Sequence, residues 1–247
     1  RVGVWTQVDY RGNEVTVESF LRVLLNRHDP LVPRSKRLLS DSDSNILIML
    51  TGHGGEDFLK FQDAEEILSK DIADAFAQMH MKKRYNEILF LADTCQAASL
   101  FSELYSPGII GMASSKTGQS SYSHSLDRNI GVSIIDRFAY HTGAFFEQID
   151  MASTRTIQDL HHAFTPLHMM SDVVLCTDLF QRAPMDQVLL TDFFGSVMKV
   201  NLMEREYGGL MGDSGGDGSG AVDGAGGDER STTDIVPDDQ CVLNCTR

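Results

Sequence analysis

The chain has 247 residues, 42% of them hydrophobic and 23% charged, the proportions of a soluble globular protein able to bury one large core or two small ones. Its 35 acids against 21 bases leave a formal charge of −14, which argues against a nucleic-acid-binding surface. Wholly apolar runs such as 46–50 fall far short of the ~18 residues that cross a bilayer. The opening Arg1-Val-Gly-Val-Trp has neither an initiator Met nor a signal-peptide pattern, so a processed, trimmed or partial product is expected.

In chain order, residues 15–27 place Phe20, Leu21, Leu24 and Leu25 on one helical face, and 45–51 form a short apolar run typical of a buried strand. Residues 71–83 carry Ile72, Phe76 and Met79 at amphipathic-helix spacing, and 87–92 read as a second strand. A helix is predicted over 96–105, a strand over 109–113, a helix over 131–146, and strands over 187–190 and 197–202. This alternation predicts an α/β fold, a mostly parallel sheet with helices on both faces.

Residues 1–205 are expected to form the folded domain and 206–247 a disordered tail. Between 208 and 240 eight acids face one base, Arg230, and ten glycines fall between 208 and 227. Such a composition cannot bury enough apolar surface to offset the entropy of ordering it. It lacks the spacing of a phosphate-binding glycine loop, and one imperfect GGDGSG lacks the stacked repeats of a calcium-binding β-roll. Four cysteines are too few for a disulfide framework in a chain of this length. Cys241 and Cys245 lack the second ligand pair of a structural zinc. Asn244-Cys245-Thr246 is a glycosylation sequon, relevant only if this end enters the secretory lumen.

In open parallel sheets the ligand site forms outside the carboxyl ends of the strands. Two such ends carry chemistry: Thr51-Gly52-His53-Gly54-Gly55 and Asp93-Thr94-Cys95. If the strands are neighbours, His53 and Cys95 emerge side by side. A cysteine acts as a nucleophile in its thiolate form, which a neighbouring imidazole and a following helix N-terminus at Gln96 would favour. Glycines around His53 permit close backbone approach, so the N–H groups of Gly54 and Cys95 are candidate oxyanion donors. Taken singly, a cysteine is more often inert packing and a Gly-His-Gly turn only a turn; the coincidence of two strand ends favours the dyad. Cys176, after Val173-Val174-Leu175, reads as structural, and the remaining histidines read as surface or packing residues. The chemistry calls for no cofactor and no metal; Asp9 reads as solvated surface rather than an ion ligand.

His53-Gly54 followed by Asp93-Thr94-Cys95 after a strand resembles the caspase and legumain clan of cysteine proteases. The longer words VDYRGNEVTVESFLRVL, PRSKRLLSDSDSNILIMLTGHGGEDFLKFQD, RYNEILFLADTCQA and TDLFQRAPMDQVLLTDFFGSV resemble the catalytic subunits of glycosylphosphatidylinositol (GPI) transamidases, a likeness running from about Asp9 to about Val200. The resemblance implies a caspase/legumain-like fold with His53 as base and Cys95 as nucleophile. It places Asp93, Ser114 and Ser115 around the pocket for the residue that donates its carbonyl. The family's glycine two places after the nucleophile is here Ala97, which would be strained at positive φ and harmless in a helix. The family's first strand–helix unit, with the asparagine that orients the histidine and the cysteine that tethers a partner, has no counterpart here, so an N-terminally incomplete enzyme is expected.

The implied activity is cleavage of a C-terminal signal peptide from precursor proteins through a thioester, with transfer of the acyl group to the ethanolamine amine of a GPI glycolipid. The implied partners are those precursors, the glycolipid and the other transamidase subunits. The implied location is the lumenal side of the endoplasmic reticulum, membrane-associated through partners or a missing segment. An asparaginyl endopeptidase that passes the acyl group to water, and a non-catalytic subunit of the same fold, are the alternatives.

Overall fold

A computed structural model describes residues 8–129, 131–194 and 242–245. Helix α1, Val17–Leu25, starts where the Thr16 hydroxyl accepts the Ser19 N–H and stops at Asn26, which takes the left-handed conformation with φ 51°. These caps trim the predicted 15–27 at both ends. Strand β1, Asn45–Thr51, matches its predicted bounds. Three short strands follow, β2 (Gly54–Gly55), β3 (Phe58–Phe61) and β4 (Glu65–Leu68), which form a small antiparallel sheet. Then come α2, Ser69–Met81, and β5, Glu87–Asp93, all seven of whose residues are buried.

After β5 the predicted helix over 96–105 is a five-residue 3-10 helix, Ala97–Phe101. Strand β6, Ile109–Ala113, again keeps its predicted bounds. Residues 131–146, expected as one helix, divide. β7 (Ser123–Asp127) and β8 (Val132–Asp136) form a hairpin, and α3 runs only over Arg137–Phe146. Val132, Ile134 and Ile135 are β-branched, and the chain reaches them through Gly131 at φ 70°. Asp136 is extended at the N-cap, so the helix cannot begin earlier.

Two short helices, α4 (Ile157–Ala163) and α5 (Pro166–Met169), and β9 (Val174–Cys176) follow. Residues 187–190 form no strand. Val188 and Leu190 are fully buried, but the backbone makes only an isolated bridge, Thr156 to Leu189, before a 3-10 helix, Leu190–Asp192. The expected strand over 197–202 and the boundary at 205 lie outside the described residues. Within the expected tail, β10 (Val242–Cys245) pairs with the open edge of β1; the rest of that segment lies outside the described residues. Val242-Leu243 is the local apolar exception in the tail, and an open strand edge offers unpaired backbone groups to such a run.

The main sheet has the order β10-β1-β5-β6-β9, parallel except for β9. Alternate side chains serve opposite faces. Ile46, Ile48 and Leu50 pack with Phe20 and Leu24 of α1 and Phe76 of α2. Leu47, Leu89 and Leu91 pack with Phe138 of α3 and with Ile157 and Leu160 of α4. Both faces are thus covered by helices, as the alternation of segments predicts, and β5 is buried because it lies mid-sheet between two cores.

Candidate active site

Strands β1 and β5 are parallel neighbours in register, Thr51 opposite Asp93. The Gly52 N–H donates to the Asp93 carbonyl at 3.1 Å, extending the ladder one step past the strand end. Two residues past each strand end stand His53 and Cys95. His53 is exposed and Cys95 half-buried.

The next turn is tightly constrained. The Lys60 N–H donates to the His53 carbonyl at 2.8 Å, which makes His53 and Lys60 a hydrogen-bonded antiparallel pair. The following pair, Gly54 and Leu59, is therefore non-hydrogen-bonded. Its geometry turns the Gly54 N–H away from β3. A Cβ on Gly54 would lie 2.5 Å from the Phe58 carbonyl oxygen and would collide with the Thr94 hydroxyl. Only glycine lets this backbone lie against the residue that precedes Cys95.

Around Cys95 the Thr94 N–H donates to Ser114 Oγ at 3.2 Å, the Gln96 N–H to the Gln119 carbonyl at 2.7 Å, and the Ala97 N–H to Ser115 Oγ at 3.1 Å. The Cys95 N–H makes no hydrogen bond among the described residues. Its thiol lies 4.0 Å from the Ser121 carbonyl oxygen, its acceptor. The left-handed residue in this turn is Gln96, at φ 55°, held by a Gly118 N–H donated to its side-chain oxygen. Ala97 sits inside the 3-10 helix and is free of the positive-φ strain that alanine there would otherwise face. The same short helix corrects the expectation of dipole support from a full α-helix at Gln96, because a single 3-10 turn aligns few peptide dipoles.

Asp93, Ser114 and Ser115 have no exposed surface. They lie beneath the rim that carries Cys95, with their polar atoms bonded inside the protein. Buried polar groups must satisfy their bonds inside the protein, and these three turn inward. Asp93 accepts the Ser121 hydroxyl at 2.9 Å and the Ala139 N–H of α3 at 3.1 Å. Burial, with the nearby Asp136 carboxylate adding to it, pushes the Asp93 carboxyl up to about 6 against the opposing effect of those hydrogen bonds.

Ser121 and Asp136 were not singled out in the sequence. The polar stretch SSKTGQSS after a strand end was the available signal for Ser121; Asp136, fifteen residues further on, had none of this kind. Cys176, in β9, is partly buried with its thiol pushed up by burial and by Asp178. Among the other histidines, His124 stacks on Tyr140 at 3.8 Å and His141 on His168 at 5.5 Å, in keeping with packing roles. Among the described residues no group of three or more His, Cys, Asp or Glu is arranged to hold a metal ion.

The profile of the Peptidase C13 family matches residues 3–179. The chain is 58% identical over 194 residues to the GPI-anchor transamidase of Saccharomyces cerevisiae, covering 78% of this chain and 47% of the yeast protein. It is 54% identical over 196 residues to the GPI-anchor transamidase of Homo sapiens, covering 79% and 49%. With the putative GPI-anchor transamidase of Drosophila melanogaster it shares 50% identity over 191 residues, covering 77% and 54%. The chain spans about half the length of these curated relatives.

Proposed function

The chain belongs to the Peptidase C13 family, and from that premise we propose that it is a cysteine-dependent transamidase that moves precursor proteins from their C-terminal signal peptide onto a GPI glycolipid. His53 takes the Cys95 thiol proton as sulfur attacks the carbonyl carbon at the anchor site. The oxyanion of the tetrahedral intermediate is met by the N–H groups of Gly54 and Cys95. Collapse breaks the C–N bond, His53 returns the proton to the departing amine, and a thioester to Cys95 remains. The ethanolamine amine of the glycolipid then attacks the thioester, its proton passes to His53, and the thiol is regenerated as the new amide forms.

Water greatly outnumbers any amine, so transfer rather than hydrolysis needs a positioned acceptor; orientation supplies effective molarities of about 10⁵ M or more. The relatives' name, GPI-anchor transamidase, supports transfer to a GPI acceptor; precursors with a GPI signal, partner subunits and a lumenal site at the endoplasmic reticulum membrane belong to the same proposal. Among the described residues no helix is long and apolar enough to cross a membrane.

The observation that carries the reading is the β1–β5 register, which brings the His53 and Cys95 turns to one rim with Gly54 seated against Thr94. The test is product analysis with an anchor-site peptide and hydrazine as surrogate acceptor. A peptide hydrazide formed by the native protein and absent from Cys95→Ala is expected; free acid alone would assign the chain to hydrolysis.

A further inference from the structure

We infer that Ser114 and Ser115 are positioning residues for the acyl transfer, acting by aiming the Cys95 N–H. The inference rests on reading Cys95 as the nucleophile. In a trans peptide unit the carbonyl of one residue and the N–H of the next lie in one plane and point in opposite directions. The unit that carries the Cys95 N–H therefore also carries the Thr94 carbonyl, and whatever fixes one fixes the other.

Two buried hydroxyls fix that carbonyl. Ser114 Oγ donates to it at 3.2 Å and Ser115 Oγ at 2.9 Å, occupying both lone pairs. Each hydroxyl also accepts a backbone N–H, Ser114 from Thr94 and Ser115 from Ala97; Ser115 is thereby held on both sides, while the single Ser114 proton is shared between the Thr94 carbonyl and the Asp93 carboxylate. Ser115 alone spans the nucleophile, from the residue before it to the second residue after. The Ser115 carbonyl adds a further tie by accepting the Ala98 N–H at 3.0 Å.

With both serines fully buried, these bonds are shielded from competing water. The carbonyl is drawn into the protein, and the Cys95 N–H points the opposite way. It is the one N–H among residues 94–97 that makes no bond among the described residues. A donor held ready for charge that develops only during reaction needs no reorganisation when the charge appears. The serines never touch the substrate in this arrangement; they act through the Thr94–Cys95 peptide.

The experiment compares the full-length protein with its partner subunits, native and carrying Ser114→Ala, Ser115→Ala or both. One readout is hydrazide formation, resolved into kcat and KM. The other is alkylation of Cys95 by iodoacetamide, followed by peptide mass mapping. Alkylation forms an S–C bond at a saturated carbon with loss of iodide and of the thiol proton and develops no oxyanion, so it reports thiol access, ionisation and folding without the oxyanion donor.

We expect the double variant to lose about 100-fold in kcat, at the low end for an oxyanion donor, and each single variant about 10-fold. KM and the alkylation rate should stay near native. An unchanged kcat in the double variant overturns the inference. So does alkylation that falls in step with kcat in both single variants, because the serines would then be supporting the fold. Native protein without Cys95-dependent product would instead overturn the reading of Cys95, a failure visible before any serine variant is made.

Discussion

Asp93→Asn isolates the energetic consequence of a buried carboxylate. The acid is fully buried, and its carboxyl is raised from 3.8 to about 6 by burial and by Asp136. A raised folded-state value means that the unfolded chain loses the proton first as pH rises. Between about 4 and 6 the folded state therefore holds more protons than the unfolded state, and its stability falls with increasing pH. A shift of roughly two units corresponds to about 3 kcal/mol lost across that window.

Asparagine does not ionise there. Its side chain can still accept the Ala139 N–H and donate to Ser121 Oγ, whose hydroxyl can rotate to receive it. The difference in unfolding free energy, variant minus native, should thus grow by about 3 kcal/mol from pH 4 to pH 7 in favour of the variant. Urea denaturation followed by far-ultraviolet circular dichroism at several pH values measures it, and the titration of groups that do not interact with Asp93 cancels in the difference. Parallel curves for the two proteins, or an advantage that shrinks as pH rises, would refute the reasoning. The second outcome would mean that the hydrogen bonds from Ser121 and Ala139 outweigh burial.

Three further outcomes follow from the geometry. Gly54→Ala places a Cβ 2.5 Å from the Phe58 carbonyl oxygen and against Thr94; we expect a loss of about 1–3 kcal/mol from overpacking, and a loss of hydrazide formation of about 100-fold as the oxyanion donor moves. Near-native turnover would remove Gly54 from the site. His53→Ala should lower turnover by about 10²–10⁴-fold, the range of a general base, with unfolding by urea unchanged because the side chain is exposed; equal loss of stability would make it a structural residue. Arg182→Ala strips the buried Glu87 carboxylate of two hydrogen bonds, at 2.6 and 2.9 Å. Arg182 is itself 44% exposed, so the expected cost is about 2 kcal/mol, below the range for a fully buried pair. A urea midpoint within error of native would show that water replaces the arginine.

Local sequence suffices for the strands at 45–51 and 109–113, the core stripes of α1 and α2, and the placing of His53 and Cys95 just past two strand ends. Each depends on neighbours within a few residues: apolar runs, helical spacing, and the glycines and polar residues that end them. The tertiary structure alone decided which strands lie side by side, and so whether the two turns meet. It also decided the split at Asp136, where β-branched residues that fit a helical count pair instead with Ser123–Asp127.

Only the fold could show that Asp93, Ser114 and Ser115 turn away from solvent. A strand-end carboxylate or hydroxyl reads as accessible when its chain neighbours are polar. Whether it is buried depends on the segment 114–122 and on α3, which fold over it. The same holds for the Ser121 carbonyl beside the Cys95 thiol, because a contact between residues so far apart in the chain leaves no periodic trace in either local sequence. Propensity is a property of adjacent residues; burial, proton affinity and the direction of a peptide N–H belong to the packed whole.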